Sequence, residues 1–348
     1  RRSRAVRALA ALAAVLVAAW SSAGHACDRS ETPFSARWRE LLTCPHPLCA
    51  TALWLTVPEG ISRCDAADEL DSAVTRTLRQ NGAALLGEVH DNPVHHLLRA
   101  ALFAQLAREP RPAVVFEHIR SDQQPVLDEV RAIVAQRPAR MAAAEILRTL
   151  EWEKSGWPDK KLFEPLFAAV IDHALPIAAG DPPRGRTRDI ARSGLAAVTA
   201  EQRARLRLDV PLPDRLSTAL AAELKGSHCG LLPDVAIPGM ALAQHYRDAH
   251  LADALLQARQ QQGAAILLAG NGHVRSDRGV PFHLVQRVPD LKIVSVLLIE
   301  VEDGKTDPDA YVLRGPDGHP AADFIVFTPR AERPDPCEEM RKTHPGRR

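Results

Sequence analysis

The stretch Ala83–His96, AALLGEVHDNPVHH, constrains the fold more than any other part of the chain. Ala83–Leu86 is apolar on both faces and too short for a helix, the pattern of a strand buried in a parallel sheet. Gly87 ends it. Asn92 and Pro93 then read as an N-cap and a first helical residue, and Val94, Leu97, Leu98, Ala101 and Leu102 keep the i, i+3, i+4 spacing of an amphipathic helix. Strand, loop and helix in that order are one unit of a doubly wound α/β fold, in which ligands bind at the loops after the strands' carboxyl ends. Glu88, His90, Asp91 and His95 therefore stand at a candidate site mouth.

The same grammar recurs along the chain. Ala113–Phe116 delivers Glu117 and His118, Leu175–Ala179 ends at Gly180 and Asp181, and Ala264–Ala269 ends at Gly270, Asn271, Gly272 and His273. Late strands fall at Ile293–Val301 and Phe324–Phe327. The expected fold is α/β, a mainly parallel sheet flanked by helices over residues 72–341, and the charged, alanine-rich stretch 184–262 reads as a helical insertion or lid within it. Pro238 opens a long helix there that carries Met240, His245, Tyr246 and His250. Parallel neighbours lie about 4.8 Å apart, so strand-end residues converge on one ligand wherever their strands are adjacent.

The N-terminus carries an export signature: Arg1, Arg2, Arg4 and Arg7 precede an apolar run from Ala8 to Trp20 and a small-residue stretch ending at Ala26. This predicts a signal peptide over 1–26 and a mature protein in the periplasm or anchored to a membrane, facing the periplasm or the cell surface. Cys27 is the position a lipid anchor would take, although Gly24 stands where a Leu-like residue is usual, so lipidation and ordinary cleavage both remain open. Export favours paired thiols. Cys229 is expected to pair with Cys337, and two of Cys44, Cys49 and Cys64 with each other, inside an irregular segment over 27–71 that is rich in proline. No C-x-x-C doublet points to zinc. With 44 basic and 43 acidic residues the chain has no field to recruit nucleic acid.

The strand-end residues suggest two kinds of chemistry. Glu88 and His90, two apart in extended chain, point the same way and offer a carboxylate beside an imidazole. Glu117 after an apolar run needs a cation, either a metal or a partner such as Arg120 or Arg275. His273 is flanked by glycines that permit close approach of a ligand. Together Glu88, His90, Glu117 and His273 would bind a divalent ion such as zinc or manganese and activate water, which is the hydrolase reading. His95 and His96 lie in a helix's first turn, where the dipole favours neutral, ligating imidazole, and one of the two is expected to face solvent. His118 and His228 read as structural, and Arg275 and Asp277 as a mutual pair.

The motifs LLGEVHDNPVHH, AGNGHVRSDRGVP and FTPRAERPDPCEEMR, in that order between Leu85 and Arg341, resemble the ChaN-like haem-binding lipoprotein family. Its wider superfamily includes the Tiki metalloproteases and erythromycin esterase, and implies an α/β core with a site built from Gly-x-x-His motifs, here Gly87–His90 and Gly270–His273. The resemblance further implies haem binding in iron acquisition, with paired haems held in a homodimer, a tyrosine on the iron and a histidine of the partner subunit on a propionate. Cofactor contacts would then come from His90, His95, Tyr246, His250 and His273. Neither Tyr246 nor Tyr311 falls within a matched motif. Tyr246 is the preferred iron ligand, with His245, His250 and Met240 on the same helix as alternatives.

Overall fold

The computed structural model describes residues 33–49, 51–55, 62–64, 67–106 and 111–343. The expected signal peptide and Cys27 lie outside them. The described strands form one eight-stranded sheet: β1 (Ala52–Trp54), β2 (Ser62–Cys64), β3 (Ala83–Leu86), β4 (Ala113–Arg120), β5 (Ile177–Asp181), β6 (Ala265–Leu268), β7 (Ile293–Glu300) and β8 (Phe324–Thr328). Their order across the sheet is β2-β1-β8-β7-β3-β6-β4-β5. All pairings from β8 to β5 are parallel, and only β1 pairs antiparallel, with β8 and β2.

The two faces of the central strands are read out by alternation. Ala84 and Leu86 of β3, with Val114 and Phe116 of β4 and Ile266 and Leu268 of β6, face a helical layer made of Pro93–Leu106, Gln124–Val134, Ala139–Thr149 and Lys160–Asp172. Ala83, Leu85, Val115 and Leu267 face the opposite way, against the Ile237–Gln262 and Gly279–Arg287 helices. Central strands buried on both faces account for the unbroken apolar runs in the sequence. A third, smaller core of Ile190, Val198, Leu206, Leu208, Tyr246 and Ala249 fixes the short helices of the 184–227 region onto the long helix.

Three expectations are corrected. The segment 27–71 is not irregular where it is described. It forms the Pro33–Leu41 helix, β1, β2 and the start of the Ala67–Arg79 helix, because its short apolar stretches complete the sheet edge beside β8. Glu117 and His118 do not follow β4 but lie within it, at a register shift between Phe116 and Arg120 where β6 has already ended. His95 and His96 are both fully buried, so neither faces solvent. Two disulfides form: Cys44–Cys49, and Cys229–Cys337, which ties the C-terminal Pro336–Thr343 helix to the insertion.

Gly87 is dictated by close approach. The Asn271 side chain, arriving from beyond β6, hydrogen-bonds both the carbonyl (2.8 Å) and the amide (3.3 Å) of Leu298 on β7. It crosses the space just past the end of β3, where a Cβ on Gly87 would stand 2.2 Å from Asn271 Oδ1 and 2.9 Å from the Val296 carbonyl. Gly87→Ala is expected to destabilise the protein by about 2 kcal/mol or more in denaturant melts. Gly226→Ala, a helical position with nothing within 4 Å, should be neutral or stabilising; equal effects would show that the crossing is not tight.

Candidate functional site

The strands whose ends carry the polar residues are neighbours, β3, β6, β4 and β5 in that order and all parallel. Their carboxyl ends bring Glu88, Asn271, His273, Glu117, His118 and Asp181 to one rim. The residues divide into two charge clusters that meet at Gly270.

Glu88 centres the first. Its Oε1 accepts Nδ1–H of His90 (2.5 Å) and Nε2–H of His118 (2.7 Å), and its Oε2 accepts the Arg99 guanidinium. Arg99 also donates to His96 Nδ1 (2.8 Å), while His96 Nε2–H donates to the His90 carbonyl (2.9 Å), so that ring's tautomer is set by two contacts. His118 is enclosed by Trp152, Trp157 and Phe163, and its Nδ1 has no partner among the described residues. His90 is different. A third of its side chain is exposed (33%), and with Nδ1 committed to Glu88 its Nε2 keeps the lone pair. That nitrogen sits where a Cβ on Gly270 would come within 2.9 Å, which is why the second motif begins with glycine.

Glu117 centres the second cluster. It has no exposed surface, and it meets Arg247 at 2.8 Å, His273 Nε2 at 3.2 Å and the Gly270 N–H at 2.7 Å. Arg247 reaches on to Asp181 (2.7 Å), and His273 Nδ1–H donates to Asp248 (2.6 Å). Burial alone would raise the Glu117 carboxyl, yet His273 and Arg247 hold it well below the usual range. Burial likewise opposes charge on His273, and Glu117 and Asp248 reverse that, raising it to about 10. With Glu117 at one ring nitrogen and Asp248 at the other, His273 is held toward the imidazolium form. Asp181 is pushed up by burial despite Arg247. The partner of Glu117 is thus Arg247, not Arg120 or Arg275. Arg275 instead grips Asp277 through two contacts of 2.8 and 2.9 Å.

The four residues expected to share a divalent ion do not form one set. The ligand atoms of Glu88, His90 and His118 lie within 4.8 Å of one another, the arrangement of a possible metal seat, whereas Glu117 and His273 are committed to Arg247 and Asp248. His95 offers nothing to a cofactor. Its Nδ1 accepts the Val89 N–H (2.8 Å) and its Nε2–H donates to Thr328 Oγ1 (2.8 Å), a clip between the β3 loop and β8.

Tyr246 and His250 stand elsewhere, in a cavity of about 640 Å³ along the β5 edge. Its walls include Ala178 and Ala179 of β5, Ala254 and Ala258 of the long helix, and Arg186 and Arg205. Gln124 blunts that edge, its amide pairing with the Ala179 N–H (2.7 Å) and the Ile177 carbonyl (3.4 Å). Tyr246 is 2% exposed, and its hydroxyl has no hydrogen-bond partner among the described residues. His250 Nδ1–H donates to the Gly180 carbonyl (3.0 Å), leaving Nε2 as the lone-pair nitrogen, and burial lowers its pKa toward the neutral form. His245 is buried against His283, ring centroids 4.6 Å apart, away from this cavity. Arg99, Arg247 and Asp248 were not anticipated; their only sequence signal is a charge on an otherwise buried helix face.

The histidines set an acid and an alkaline limit. Burial pushes His95, His96 and His283 down to about 3, and His118 well below its ordinary value. Unfolded, each titrates near 6.5, so below that pH the unfolded chain binds protons the native state refuses. Stability falls there by about 1.4 kcal/mol per group per pH unit. His273, raised, contributes fully below 6.5 and loses its contribution as pH rises through about 10. Melting temperature should therefore peak near pH ~7 and fall on both sides. A flat profile between pH ~4 and ~7 would contradict the neutral buried histidines.

The family described as haem-binding uptake, Tiki superfamily, ChaN matches residues 74–284. Among solved structures, the fold is similar to ChaN of Campylobacter jejuni with cofacially bound haem: 20% identity, 79% of this chain and 96% of that one, TM-score 0.58. More distant likenesses are a mutant of the erythromycin esterase EreC in its open conformation (16% identity, 84% and 86% covered, TM-score 0.40) and the type III effector HopBA1 (10%, 74% and 94%, TM-score 0.39). No curated protein matches. The ChaN likeness shows the fold, and the family match covers well over half of the chain: it belongs to the haem-binding uptake, Tiki superfamily, ChaN family.

Proposed function

We propose that this chain binds haem in the cavity at the β5 edge, with Tyr246 on the iron and His250 beside it, as an exported protein of haem uptake. The observation that carries the reading is the Tyr246 hydroxyl, unpaired within the described residues at the wall of a cavity of about 640 Å³. That volume lies in the range of small-molecule sites, and Ala178, Ala179, Ala254, Ala258 and Leu206 give an apolar part to a wall that is otherwise rich in glutamine, aspartate and arginine. A phenol oxygen is a workable iron ligand. Burial raises the Tyr246 pKa, while Arg186 and Arg205 act against that rise and favour the phenolate that ligation needs. Haem, once bound, supplies a ferric centre whose spectrum reports its ligand. Two disulfides support an oxidising compartment.

A second reading rests on a separate observation, the convergence of Glu88, His90 and His118. One carboxylate and two imidazoles are a usual donor set for zinc, which would supply a polarised water beside His90 for ester or amide hydrolysis. The Arg99 cation already on Glu88 weighs against a further positive charge there.

Titration of the mature protein with haemin separates the two. Saturable binding with a tyrosinate charge-transfer band is expected, at least about tenfold weaker and without that band in Tyr246→Phe, and unchanged in His90→Ala. Native mass measurement of the loaded protein should show two copies with paired haems. Haemin uptake that never saturates, together with stoichiometric zinc or manganese lost in His118→Ala, would replace the carrier with the hydrolase.

A further inference from the structure

The turn between the Gln124–Val134 and Ala139–Thr149 helices combines three features that a surface facing only water gains nothing from. It lies at the amino edge of the sheet, away from the rim. The first helix begins beyond the carboxyl end of β4 and runs back until the Arg131 guanidinium reaches the Leu175 carbonyl (3.4 Å), just ahead of β5. Ile133 (62% exposed) and Met141 (60%) flank the turn, and after Val235 they are the most exposed large apolar side chains among the described residues. Every charged side chain from residue 130 to 144 is an arginine, namely Arg131, Arg137 and Arg140. Arg137 and Arg140 are exposed and have no ion pair among the described residues, and the next acid along the chain, Glu145, is held by Arg148 at 2.5 Å. Their placement is also electrostatically unfavourable. Arg137 precedes, and Arg140 lies within, the first turn of a helix that has no acid there, where the backbone amides already present partial positive charge.

Unpaired cations beside protruding apolar side chains are matched by a surface that is anionic outside and hydrocarbon within. We propose that this turn docks on an anionic lipid bilayer, with Arg137 and Arg140 among the headgroup phosphates and Ile133 and Met141 inserted just below them. Arginine suits the task because its fork meets two phosphate oxygens at once. A protein partner fits less well, because two apolar side chains and two guanidinium groups fall short of the roughly 1,000 Å² that a specific interface buries. Docked in this way, the chain turns its rim away from the membrane. The inference rests neither on the haem reading nor on a lipid at Cys27.

The test is flotation with vesicles of phosphatidylcholine alone or with about 30% phosphatidylglycerol, using the full mature chain bearing Cys27→Ser so that no acyl anchor contributes. Binding should be at least about tenfold tighter to the anionic vesicles and should weaken as salt is raised. Arg137→Gln/Arg140→Gln should lose about tenfold of that affinity together with most of its salt dependence. Ile133→Ser/Met141→Ser should lose about tenfold and keep the salt dependence. Val235→Ser, which removes a still more exposed apolar side chain on the insertion, should change nothing. All these positions are exposed, so unchanged melting curves are expected and would confirm that each variant is folded. Equal binding to both kinds of vesicle, or tip variants that float like the unaltered chain, overturns the proposal. A lipid-free and haemin-free dimer that Ile133→Ser/Met141→Ser disperses would assign the turn to a second copy of the chain and overturn it as well.

Discussion

The arrangement depends on one carboxylate with no access to water. Glu117 lies inside β4 with zero exposure, and an isolated charge there would be expensive enough to neutralise the group. It stays ionised because three elements converge on it: Arg247 from the long helix, His273 from the loop after β6, and the Gly270 amide at the start of that loop. Arg247 carries the connection to β5 through Asp181. Removing any one cation would leave the others mispaired, and such losses in buried pairs run to about 3–5 kcal/mol. The same ion pairs therefore tie the ends of β4 and β5 and the segment after β6 together at the rim.

Two Gly-x-x-His motifs interlock around that centre. The first supplies a glycine, Gly87, whose missing side chain lets Asn271 of the second reach across to β7. The second supplies Gly270, whose missing side chain admits the His90 ring of the first. Each motif makes room for the other's polar residue, so neither is complete alone. The long helix then serves both sites through its periodicity. Gln244 and Asp248, four apart, meet His273; Tyr246 and His250, also four apart, meet the cavity at β5; and Arg247 points at the rim between them.

Local pattern made the strands, the two motifs and the long helix legible, since apolar runs, glycine breaks and helical spacing are properties of neighbouring residues. The Cys229–Cys337 pair was also foreseen from its isolation in the chain. Strand order was not legible: that β6 lies between β3 and β4 follows from packing over more than a hundred residues. For the same reason the helix-borne partners escaped notice. Arg99 and Arg247 look like surface charges until the sheet places a carboxylate beneath each. His95 misled in the other direction, because a histidine at a helix start beside a motif looks like a ligand, whereas both its nitrogens fasten the loop to Val89 and Thr328.

Rim and cavity differ in how many of their polar groups are already paired. At the rim nearly every donor and acceptor is spent on another charge, with His90 Nε2 the accessible exception, and covering those ion pairs with a hydrocarbon ring would strip solvent without returning hydrogen bonds. At the β5 edge the balance is reversed. The walls mix alanines with glutamines, aspartates and arginines, the Tyr246 oxygen has no partner within the described residues, and Arg186 and Arg205 retain donors. A ligand entering there gains contacts and breaks few. Tyr246 and Arg247, adjacent in sequence, are thereby turned to different places, Arg247 to the charged clasp at the rim and Tyr246 to the cavity one helix face away.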